Sequence, residues 1–560
     1  MKFRLLSRIV ATGLATVGAV CVAPAQIATA PAWASVKALG PGSLSLDATA
    51  SAIDAAGNTY ETGYFGASTS VGGVTLTSHG SFDGYLAKFS PVGLLLWMRQ
   101  LGSTGYDLGM DVAVDAAGNA YVVGLFTGTI ALGNGSTLQL DAGTGPNATK
   151  GFVVRYSPQG TPEWAQQSRS VSFASSAGMS GVGIDALGNV CVGGLMGGSI
   201  IIGSATASTS GNVSGTFLSR FSPASGALQQ LVTGFEYAPI TGNSASYSYP
   251  QLVVAPGNQL YLLSQFTENI VFNNTAFTNR GQADCFVARF SPQNAPEWAQ
   301  HFGGPGYDRI SNGAVDAAGN LYVTGNFTGP ATFGSSSQAG LGGGDGYLVK
   351  CSSQGTVSWI QTVASNGDDN LSDVALDAFG NAYVSGSFTG TAQCGPATLS
   401  SAGLSDGLVA SYNPLGQLRW VQQAGGPGND IARYLGLDAH ENIYVLGRFA
   451  TGCAFGSQVL TAAASNESFV ARLGSVGLAS RANTGSSLGC YPNPATTRIH
   501  LAALPAGTRV QLFDVLGHLA RETVVAPDAS IPVLGLPAGL YTLHALDAQG
   551  KLRTGKVAVE

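Results

Sequence analysis

The sequence predicts an all-β protein made of a repeated four-stranded unit, and three observations support this prediction. Glycine supplies 79 of the 560 residues and charged residues only 10%, which is typical of turn-rich β structure. The phrase Asp-Ala-x-Gly-Asn recurs at spacings of 61 to 70 residues. Between its copies lie four short runs of alternating or β-branched apolar residues, separated by Gly, Pro, Asn and Ser turn signals.

The number of repeats follows from this turn phrase. It begins at Asp54, Asp115, Asp185, Asp316 and Asp377, and degraded copies begin at Val254 and, as Asp-Ala-His-Glu-Asn, at Asp438. Self-similarity at a fixed period indicates a repeat architecture, and this period is long enough for a four-stranded sheet. Seven such sheets around one axis describe a seven-bladed β-propeller, in which each sheet packs on its neighbours.

The tryptophans predict how the ring closes. They are Trp33, Trp97, Trp164, Trp298, Trp359 and Trp420, and each falls on the fourth strand of a unit. Trp33 lies 21 residues ahead of Asp54, in the register of the other units. The seventh unit ends in "SFVARLGSVGL" and has no fourth strand of its own. We therefore expect an amino-terminal strand around Trp33 to complete the seventh sheet.

The amino terminus has the layout of a secretory signal peptide. Basic residues stand at Lys2, Arg4 and Arg8, an apolar stretch follows, and small residues occupy Ala23 and Ala25. We expect the signal peptide to span residues 1–25, followed by a propeller over 26–478. No later stretch is apolar enough over a sufficient length to span a bilayer.

The repeats, as in "VDAAGNLYVTGNFTGPATFG" followed by "DGYLVK", resemble the seven-bladed β-propeller repeat (SBBP-type) of bacterial exported proteins. The resemblance implies a fold rather than an activity, because members of the family share no established activity. Within the phrase, Asp115, Gly118 and Asn119 are expected to form a tight turn that needs a positive φ and a capping carboxylate. This favours a structural role for these residues over a ligand role.

The last part of the chain has a different pattern. The small polar stretch "ASRANTGSSLG" predicts a linker over 479–489, and residues 490–560 alternate strand-like runs with Gly or Pro turns, as in a small β-sandwich. Its most distinctive letters are Tyr491, Pro492, Asn493 and Pro494, then Leu512, Phe513, Asp514 and Gly517, then Gly539, Leu540 and Tyr541. These ordered submotifs resemble the type IX secretion C-terminal sorting domain, although "KVAVE" replaces the usual basic ending.

The resemblance implies a route of export. The signal peptide would take the chain to the periplasm, and the type IX secretion machinery would recognise the C-terminal domain and move the chain across the outer membrane. A peptidase would then remove that domain. We therefore expect a protein that is secreted or held at the outer cell surface.

Composition and motifs exclude several functions. A formal charge of −6 and the lack of Lys and Arg clusters argue against nucleic-acid binding. The motifs H-E-x-x-H, G-x-S-x-G and the phosphate-binding loop do not occur, so no catalytic residue and no obligatory cofactor are expected. Only His79 and His301 among the histidines fall near plausible loops. Cys191, Cys351 and Cys394 replace aromatic residues of the repeat and are expected to be buried. For Cys285 and Cys453 the sequence does not decide between a buried and another role.

A recurrent acidic pattern is the best candidate for a site. Asp107, Asp308, Asp369 and Asp430 end the loop that enters a unit, and Asp83, Asp284, Asp345 and Asp406 precede a third strand. If the strands run outwards from the axis in chain order, both loop classes lie on one face. The carboxylates there could bind Ca²⁺ or sugar hydroxyl groups, whereas their recurrence favours turn capping.

Two classes of function remain open for this face. The favoured one is a monomeric binding or adhesion module for a glycan or protein, with Tyr247 and Tyr249 in the irregular "ITGNSASYSYPQ" loop as stacking residues and Tyr106 and Tyr307 as further aromatics. The alternative is an extracellular enzyme that degrades polysaccharide or protein, which would need unique polar residues in one unit.

Overall fold

The computed structural model describes residues 29–39, 46–132, 134–140, 149–170, 177–210, 213–237, 248–273, 275–462, 467–474, 488–501, 504–513, 519–546 and 552–560. The chain divides into two compact units, Met1–Val476 and Gly477–Glu560. Throughout the described residues every regular element is a β-strand, as the sequence predicts. None of the described segments is a helix with the length and apolarity needed to cross a membrane. The predicted signal peptide lies outside the described residues, as does most of the predicted linker.

The strands of the larger unit follow the repeats. The first three repeats contain β1 Trp33–Ala38, β2 Leu46–Ile53, β3 Thr59–Phe65, β4 Ser68–Val71, β5 Val74–Thr77, β6 Asp83–Phe89, β7 Leu95–Leu101, β8 Leu108–Val114, β9 Ala120–Phe126, β10 Ile130–Ala131, β11 Thr137–Leu138, β12 Lys150–Tyr156, β13 Pro162–Ser170, β14 Ala177–Ile184, β15 Val190–Gly197, β16 Ser199–Ile202, β17 Ala205–Ser208, β18 Ser214–Phe221 and β19 Leu228–Tyr237. The next two contain β20 Gln251–Val254, β21 Leu260–Phe266, β22 Ile270–Phe272, β23 Thr275–Phe277, β24 Asp284–Phe290, β25 Pro296–Gly303, β26 Arg309–Val315, β27 Leu321–Phe327, β28 Ala331–Phe333, β29 Ser336–Gln338, β30 Asp345–Cys351 and β31 Val357–Ala364. The remaining strands are β32 Asn370–Leu376, β33 Ala382–Cys394, β34 Ala397–Tyr412, β35 Leu418–Ala424, β36 Ile431–Leu437, β37 Ile443–Phe449, β38 Gly452–Phe455, β39 Gln458–Thr461 and β40 Glu467–Leu473.

One antiparallel order recurs in these sheets. The four main strands of a repeat pair in chain order, as in β2-β3-β6-β7 and β8-β9-β12-β13. The last set is β36-β37-β40, and β1 completes it by pairing with β40, with Trp33 opposite Leu473 and Ala38 opposite Phe469. This is the pairing that the tryptophan register predicts. The first strands of consecutive sheets contact one another, and β36 also contacts β2.

A short hairpin between the second and third strands links neighbouring repeats. The hairpin strands β16, β22 and β28 pair with β13, β19 and β25, which are the fourth strands of the preceding repeats. Each hairpin therefore extends its neighbour's sheet. Because this pairing covers the outer edge of that sheet, it reduces the number of unpaired backbone groups.

The turn phrase forms the predicted cap. In the second copy of the phrase, Asp115 Oδ1 accepts hydrogen bonds from the amides of Ala117 and Asn119, each at 2.9 Å. Asp115 Oδ2 accepts a third bond from Asn119 Nδ2 at 2.8 Å. Gly118 has a φ of 82°, a left-handed conformation that favours glycine. The prediction of a capped turn is therefore confirmed.

Four tryptophans link their repeat to the next one, and they are Trp97, Trp164, Trp298 and Trp359. Trp97 Nε1 donates to the carbonyl of Pro158 at 2.9 Å, and a Cβ on Gly160 would lie 2.7 Å from the Trp97 ring. Trp298 contacts Ser353 and Gly355 in the same way. Glycine thus serves both the positive φ of the turn and the close approach of the indole ring.

Buried carboxyl groups link the first strands. Asp111 Oδ2 accepts a hydrogen bond from the Val182 amide, and Asp373 Oδ2 accepts one from the Leu435 amide, both at 2.8 Å. Each bond runs to the first strand of the next repeat. Because burial disfavours the charged form, it raises the pKa of Asp111 and of Asp373 to about 7.

The described cysteines of this unit lie in the core. Cys191, Cys351 and Cys394 are fully buried and unpaired, which confirms the prediction for these three, and Cys285 and Cys453 are buried as well. Burial raises the pKa of Cys191 to about 12 and that of Cys394 to about 11. These thiols therefore behave as small apolar side chains.

The smaller unit has its own core. Its strands are β41 Arg498–His500, β42 Arg509–Phe513, β43 Leu519–Val524, β44 Ser530–Pro532, β45 Gly539–Leu546 and β46 Leu552–Val559. Strands β41 and β44 form one sheet, and β43-β42-β45-β46 form a second. Both sheets contribute to one apolar cluster, to which β41 gives Ile499 and β45 gives Leu543.

Candidate functional site

Two ends of the larger unit differ in the segments that they carry. We call one end the turn face, which carries the Asp-x-x-Gly-Asn turns such as 54–58 and the tight turns such as 90–93. The other end, the loop face, carries the loops between second and third strands, such as 66–82, and the loops that enter each repeat, such as 102–107.

The eight aspartates selected from the sequence form four pairs at the loop face. The pairs are Asp83/Asp107, Asp284/Asp308, Asp345/Asp369 and Asp406/Asp430. In every pair the amide of the second member donates to the carbonyl of the residue that precedes the first member, at 2.7 to 2.9 Å. All eight residues are at most 2% exposed, and Asp369 also contributes to the lining of a polar pocket at this face.

The second member of each pair caps the loop that enters the next repeat. Asp107 accepts hydrogen bonds from the amide of Ser103 at 2.5 Å, from Ser103 Oγ at 3.0 Å and from the amide of Thr127 at 3.2 Å. Asp308 accepts from the amides of Gly304 and Thr328. Burial raises the pKa of Asp308 to about 6, while these bonds oppose the shift.

The first members differ from pair to pair in how completely their carboxyl oxygens are bonded. Asp83 Oδ1 accepts from Ser78 Oγ at 2.8 Å, and its Oδ2 accepts from the His79 amide at 3.1 Å. In Asp284, Asp345 and Asp406 the corresponding Oδ1 is buried and has no hydrogen-bond partner.

A polar pocket of about 720 Å³ opens at the loop face. First strands β2, β20, β26, β32 and β36 contribute to its lining Thr49, Gln251, Arg309, Asn370 and Arg433. Arg433 Nη1 lies 3.2 Å from Asp47 Oδ1, and the guanidinium of Arg309 stands over the Tyr307 ring, 4.8 Å from its centroid. The pocket therefore offers fixed donors and acceptors beside an aromatic ring, the groups that recognise hydroxylated ligands.

An aromatic patch, formed by Tyr64, Phe82 and Tyr106, lies on the same face. The Phe82 ring meets Tyr64 and Tyr106 edge to face, at centroid distances of 5.4 and 5.6 Å. Phe82 is 38% exposed and Tyr106 is 41% exposed, so both rings present part of their surface to solvent. Tyr64 Oη donates to Asp47 Oδ2 at 2.8 Å, so the carboxylate that pairs with Arg433 of the pocket also holds this patch.

Sequence reasoning did not select Phe82, Arg309 or Arg433. One signal was available, because Phe82 stands where the other described repeats with this loop have Ala283, Gly344 and Ser405. A residue that departs from its repeat position is a candidate for function. The two arginines depart from their repeat positions as well, since Arg309 stands where other repeats have Leu108, Asn370 and Ile431, and Arg433 where they have Met110, Ser311 and Ser372. Only the fold, however, brings their strands to one pocket.

The other predicted aromatics lie in different environments. Tyr247 is outside the described residues. Tyr249 is half-buried, and its ring lies 2.6 Å from the position that a Cβ on Gly178 would take, so Tyr249 packs against β14 of the preceding repeat. Tyr307 is 37% exposed and lines the polar pocket.

A second pocket, of about 700 Å³, is lined by Phe277, Arg280 and His301 among others. His301 Nε2 lies 2.6 Å from Asp284 Oδ2, and its ring centroid is 5.2 Å from that of Phe266. In other repeats a glutamine makes the equivalent contact, as Gln423 does with Asp406 at 2.6 Å. His79 is exposed, with its Nδ1 3.1 Å from Asp83.

The predicted sorting motif converges on the last strand of the smaller unit. Asn493 Oδ1 accepts from the Ala558 amide at 2.8 Å, and Leu540 lies opposite Ala558 in the sheet, beside Gly539. Tyr541 is buried and its Oη donates to the Pro537 carbonyl. The remaining described motif residues are exposed Tyr491, whose ring stacks on His500 at 5.4 Å, Pro492 and Pro494, and, on β42, buried Leu512 and half-buried Phe513. Asp514 and Gly517 lie outside the described residues.

Comparison with known families agrees with both resemblances. Residues 96–125 match the family model described as a beta-propeller repeat. Residues 489–560 match the model described as a secretion system C-terminal sorting domain. No curated protein matches the chain.

Several solved structures show weaker similarity. A protein of unknown function from Bacteroides caccae is 10% identical, with 60% of this chain and 92% of that chain covered and a TM-score of 0.26. A puromycin hydrolase mutant is 12% identical, with 78% and 57% covered and a TM-score of 0.38. A leech intramolecular trans-sialidase is 10% identical, with 95% and 98% covered and a TM-score of 0.19. No inference is drawn from similarities at these TM-scores.

The two family matches fall on separate parts of the chain. The first covers part of the larger unit, and the second covers nearly all described residues of the smaller unit. The chain is therefore an all-β protein with a β-propeller repeat and a type IX secretion sorting domain, which indicates export to the cell surface or secretion.

Proposed function

We propose that the larger unit is a seven-bladed β-propeller that binds a glycan at its loop face. The seven blades would be the four-stranded sets, with β1 completing the last of them. Support comes from the contacts between consecutive first strands and from the contact of β36 with β2, which returns to the first set. On this proposal the propeller spans 26–478, a linker 479–489 and a small β-sandwich 490–560.

The observation that carries the binding proposal is the aromatic patch beside the polar pocket. Exposed rings at Phe82 and Tyr106 provide flat apolar surfaces for the faces of sugar rings. Arg309 and Asn370 in the pocket provide donors and acceptors for hydroxyl groups. A monomeric module with both kinds of group suits a glycan better than a purely apolar ligand, and a protein ligand would use the same residues.

The test compares the two faces of the larger unit. The chain is screened on a glycan array, and affinities for the glycans found are measured for the double variant Phe82→Ser with Tyr106→Asn. These replacements are the residues of another repeat, Ser405 and Asn429. We expect a loss of affinity of about tenfold or more, since each 1.4 kcal/mol of binding free energy is a factor of ten.

The matched control is an exposed aromatic on the turn face. Phe379 is 76% exposed in the turn of its repeat, and Phe379→Ser should leave affinity unchanged. Loss of binding in Phe379→Ser, with unchanged binding in the loop-face variant, would place the ligand on the turn face and contradict the proposal. Binding to purified proteins but to no glycan would identify a protein ligand.

Hydrolysis of polysaccharide or protein is a second candidate function, favoured by the Asp284–His301 pair. A carboxylate that orients an imidazole at the edge of a pocket is the arrangement of a general base. His301→Gln installs the residue that the other repeats use. Hydrolysis by the native chain that is lost in this variant, with an unchanged melting temperature, would support an enzyme.

We also propose the route of export. A signal peptide over 1–25 would deliver the chain to the periplasm, and the sorting domain would direct it across the outer membrane. A chain without residues 490–560 should therefore accumulate folded in the periplasm, because each unit has its own core. Normal surface delivery of this truncated chain would contradict the assignment of the sorting signal.

A further inference from the structure

Three buried carboxyl pairs carry an unexplained feature. Asp284, Asp345 and Asp406 are at most 1% exposed, and the Oδ1 atom of each has no hydrogen-bond partner. A buried polar atom without a partner is costly, and a buried carboxylate oxygen more so. An ordered water or a bound cation would satisfy such atoms, because the described chain gives them no hydrogen bond of normal geometry.

The second carboxyl group of each pair stands nearby. At the position that a Cβ on Gly303 would take, Asp284 Oδ1 is 2.4 Å away and Asp308 Oδ2 is 2.8 Å away. The two carboxylate oxygens therefore lie no more than 5.2 Å apart, which is the sum of these two distances. Two oxygens that each lie 2.3 to 2.6 Å from one Ca²⁺ ion are separated by about this distance at most.

The backbone holds every pair in the same arrangement. Residues that precede the two members form a parallel bridge, as Ala283 does with Tyr307 and Ser405 with Asn429. In the second members, Asp369 Oδ2 and Asp430 Oδ2 also make no hydrogen bond of normal geometry, although the amides of Ser365 and Gly426 act to lower the pKa of these carboxyl groups. In these two pairs, therefore, both carboxyl groups have an oxygen that is available to bind an ion.

The first repeat shows what happens when the chain itself supplies the partner. Ser78 Oγ donates to Asp83 Oδ1, and Ser103 donates to both oxygens of Asp107. Neither carboxyl group of this pair has an unpartnered oxygen. The residue five positions before the first member is Ser78 for Asp83, Asn279 for Asp284, Gly340 for Asp345 and Ser401 for Asp406. Ser401 Oγ donates to the Gly403 carbonyl and not to Asp406.

We propose that the pairs Asp284/Asp308, Asp345/Asp369 and Asp406/Asp430 each bind a calcium ion, and that Asp83/Asp107 does not. Within the described ranges no three acidic, histidine or cysteine side chains converge on a metal position. Each ion would therefore take two carboxylate ligands and complete its shell with backbone carbonyl oxygens of the flanking loops and water. Calcium suits such a site because it accepts six to eight oxygen ligands in flexible geometry.

The sites would stabilise the loop face rather than contact the glycan. Each pair joins the loop before a third strand to the loop that enters the next repeat, so an ion between them would fix two loops at once. A ligand that binds only the folded state stabilises it, so the melting temperature should rise with calcium.

The test counts ions in the full chain. After dialysis against calcium and removal of free metal, elemental analysis should give one ion per proposed pair, hence about three per chain. The double variant Asp406→Asn with Asp430→Asn should bind one ion fewer, and Asn can keep the bonds from Ala402 and Ala450. The control variant Asp83→Asn with Asp107→Asn should bind the same number as the native chain.

Melting temperatures provide the second measurement. Calcium should raise the melting temperature of the native chain and EDTA should reverse this, with a smaller rise in the Asp406 and Asp430 variant. If that variant does not fold, the single change Asp406→Asn replaces it. Absence of bound calcium, an unchanged melting temperature, or equal ion counts in the native chain and the Asp406 variant would each overturn the proposal.

Discussion

Two sets of aspartates recur in the larger unit, and they differ in how their carboxyl groups are satisfied. Asp115 of the turn face caps its own turn, with hydrogen bonds to Ala117 and Asn119 that are all local in sequence. Asp406 of the loop face is fully buried, bonds to Gln423 seventeen residues away and leaves Oδ1 without a partner. The same residue type, repeated at the same spacing, therefore caps a turn on the turn face and leaves a buried carboxyl oxygen without a partner on the loop face.

The difference follows from the length of the connections. A turn of two to four residues returns the chain at once, so it leaves little room for variation and its carboxylate meets its own amides. The loop-face connections are longer and differ between repeats, so their aspartates depend on distant partners that some repeats supply and others lack. Unique groups such as the Phe82 ring are accordingly found at the loop face.

The largest expected effect concerns β1, the strand that completes the last sheet of the larger unit. Trp33 is 7% exposed and meets the Phe455 ring edge to face at 5.0 Å. Trp33→Ala leaves a cavity in the last sheet, and we expect a loss of about 3 to 5 kcal/mol of unfolding free energy. Chemical denaturation measures this loss, with the exposed Ala34→Ser as the control in the same strand.

The result would also test whether the two faces share one scaffold. An unchanged stability in Trp33→Ala, or unfolding of the last sheet alone in hydrogen exchange, would show that β1 is not required for the rest of the unit. The turn face and the loop face would then rest on parts of the larger unit that fold separately.

The second effect is a dependence of stability on pH, which arises from buried carboxyl groups on the first strands of the repeats. Burial raises the pKa of Asp111 and Asp373 to about 7, from about 3.9 in an unfolded chain. Between these values the unfolded chain releases a proton that the folded chain retains. Stability should therefore fall as pH rises from about 4 to 7, by up to about 1.4 kcal/mol per group for each pH unit.

Melting in EDTA across this range measures the effect. Asp308 and Asp430, whose pKa burial raises to about 6, change stability in the same direction. Asp111→Asn should reduce the slope between pH 5 and 7 while lowering overall stability, because its amide would face a backbone amide. A slope that is identical in this variant would exclude Asp111 as a source.

The third effect belongs to the turn face. Asp316 Oδ1 accepts from the amides of Ala318 and Asn320, so Asp316→Ala leaves both donors to solvent. We expect a loss of about 1 to 2 kcal/mol, since one hydrogen bond contributes about 1 kcal/mol. Asp316→Asn keeps one acceptor and should lose less. Equal losses in the two variants would show that charge, rather than the cap, is what matters.

The sequence predicted those features that depend on local chemistry repeated along the chain. The capped turn of Asp115, the strand order within a repeat and the pairing of the Trp33 strand with β40 all follow from spacing. The hairpins between second and third strands were not predicted, because runs such as Ile130–Ala131 are too short to show alternation.

For the candidate site, the sequence predicted only the face of the larger unit on which its acidic residues lie. The acidic residues were found, but their burial was not, because exposure of a loop carboxylate depends on which distant side chains reach it. Arg309 and Arg433 lie more than a hundred residues apart in sequence and line one pocket only after the sheets assemble. A repeat pattern reports what the units share, whereas a ligand site depends on where they differ.

The smallest expected effect is that of emptying the aromatic patch. Phe82 and Tyr106 are each exposed by about two fifths, and their rings meet edge to face, a contact that contributes about 0.5 to 1.5 kcal/mol. Phe82→Ser with Tyr106→Asn should therefore cost at most about 1.5 kcal/mol, because another repeat folds with Ser405 and Asn429 in these places. Thermal melting beside the native chain measures the cost. A loss as large as that of Trp33→Ala would mean that the patch belongs to the core, and its exposure would then have no bearing on ligand binding.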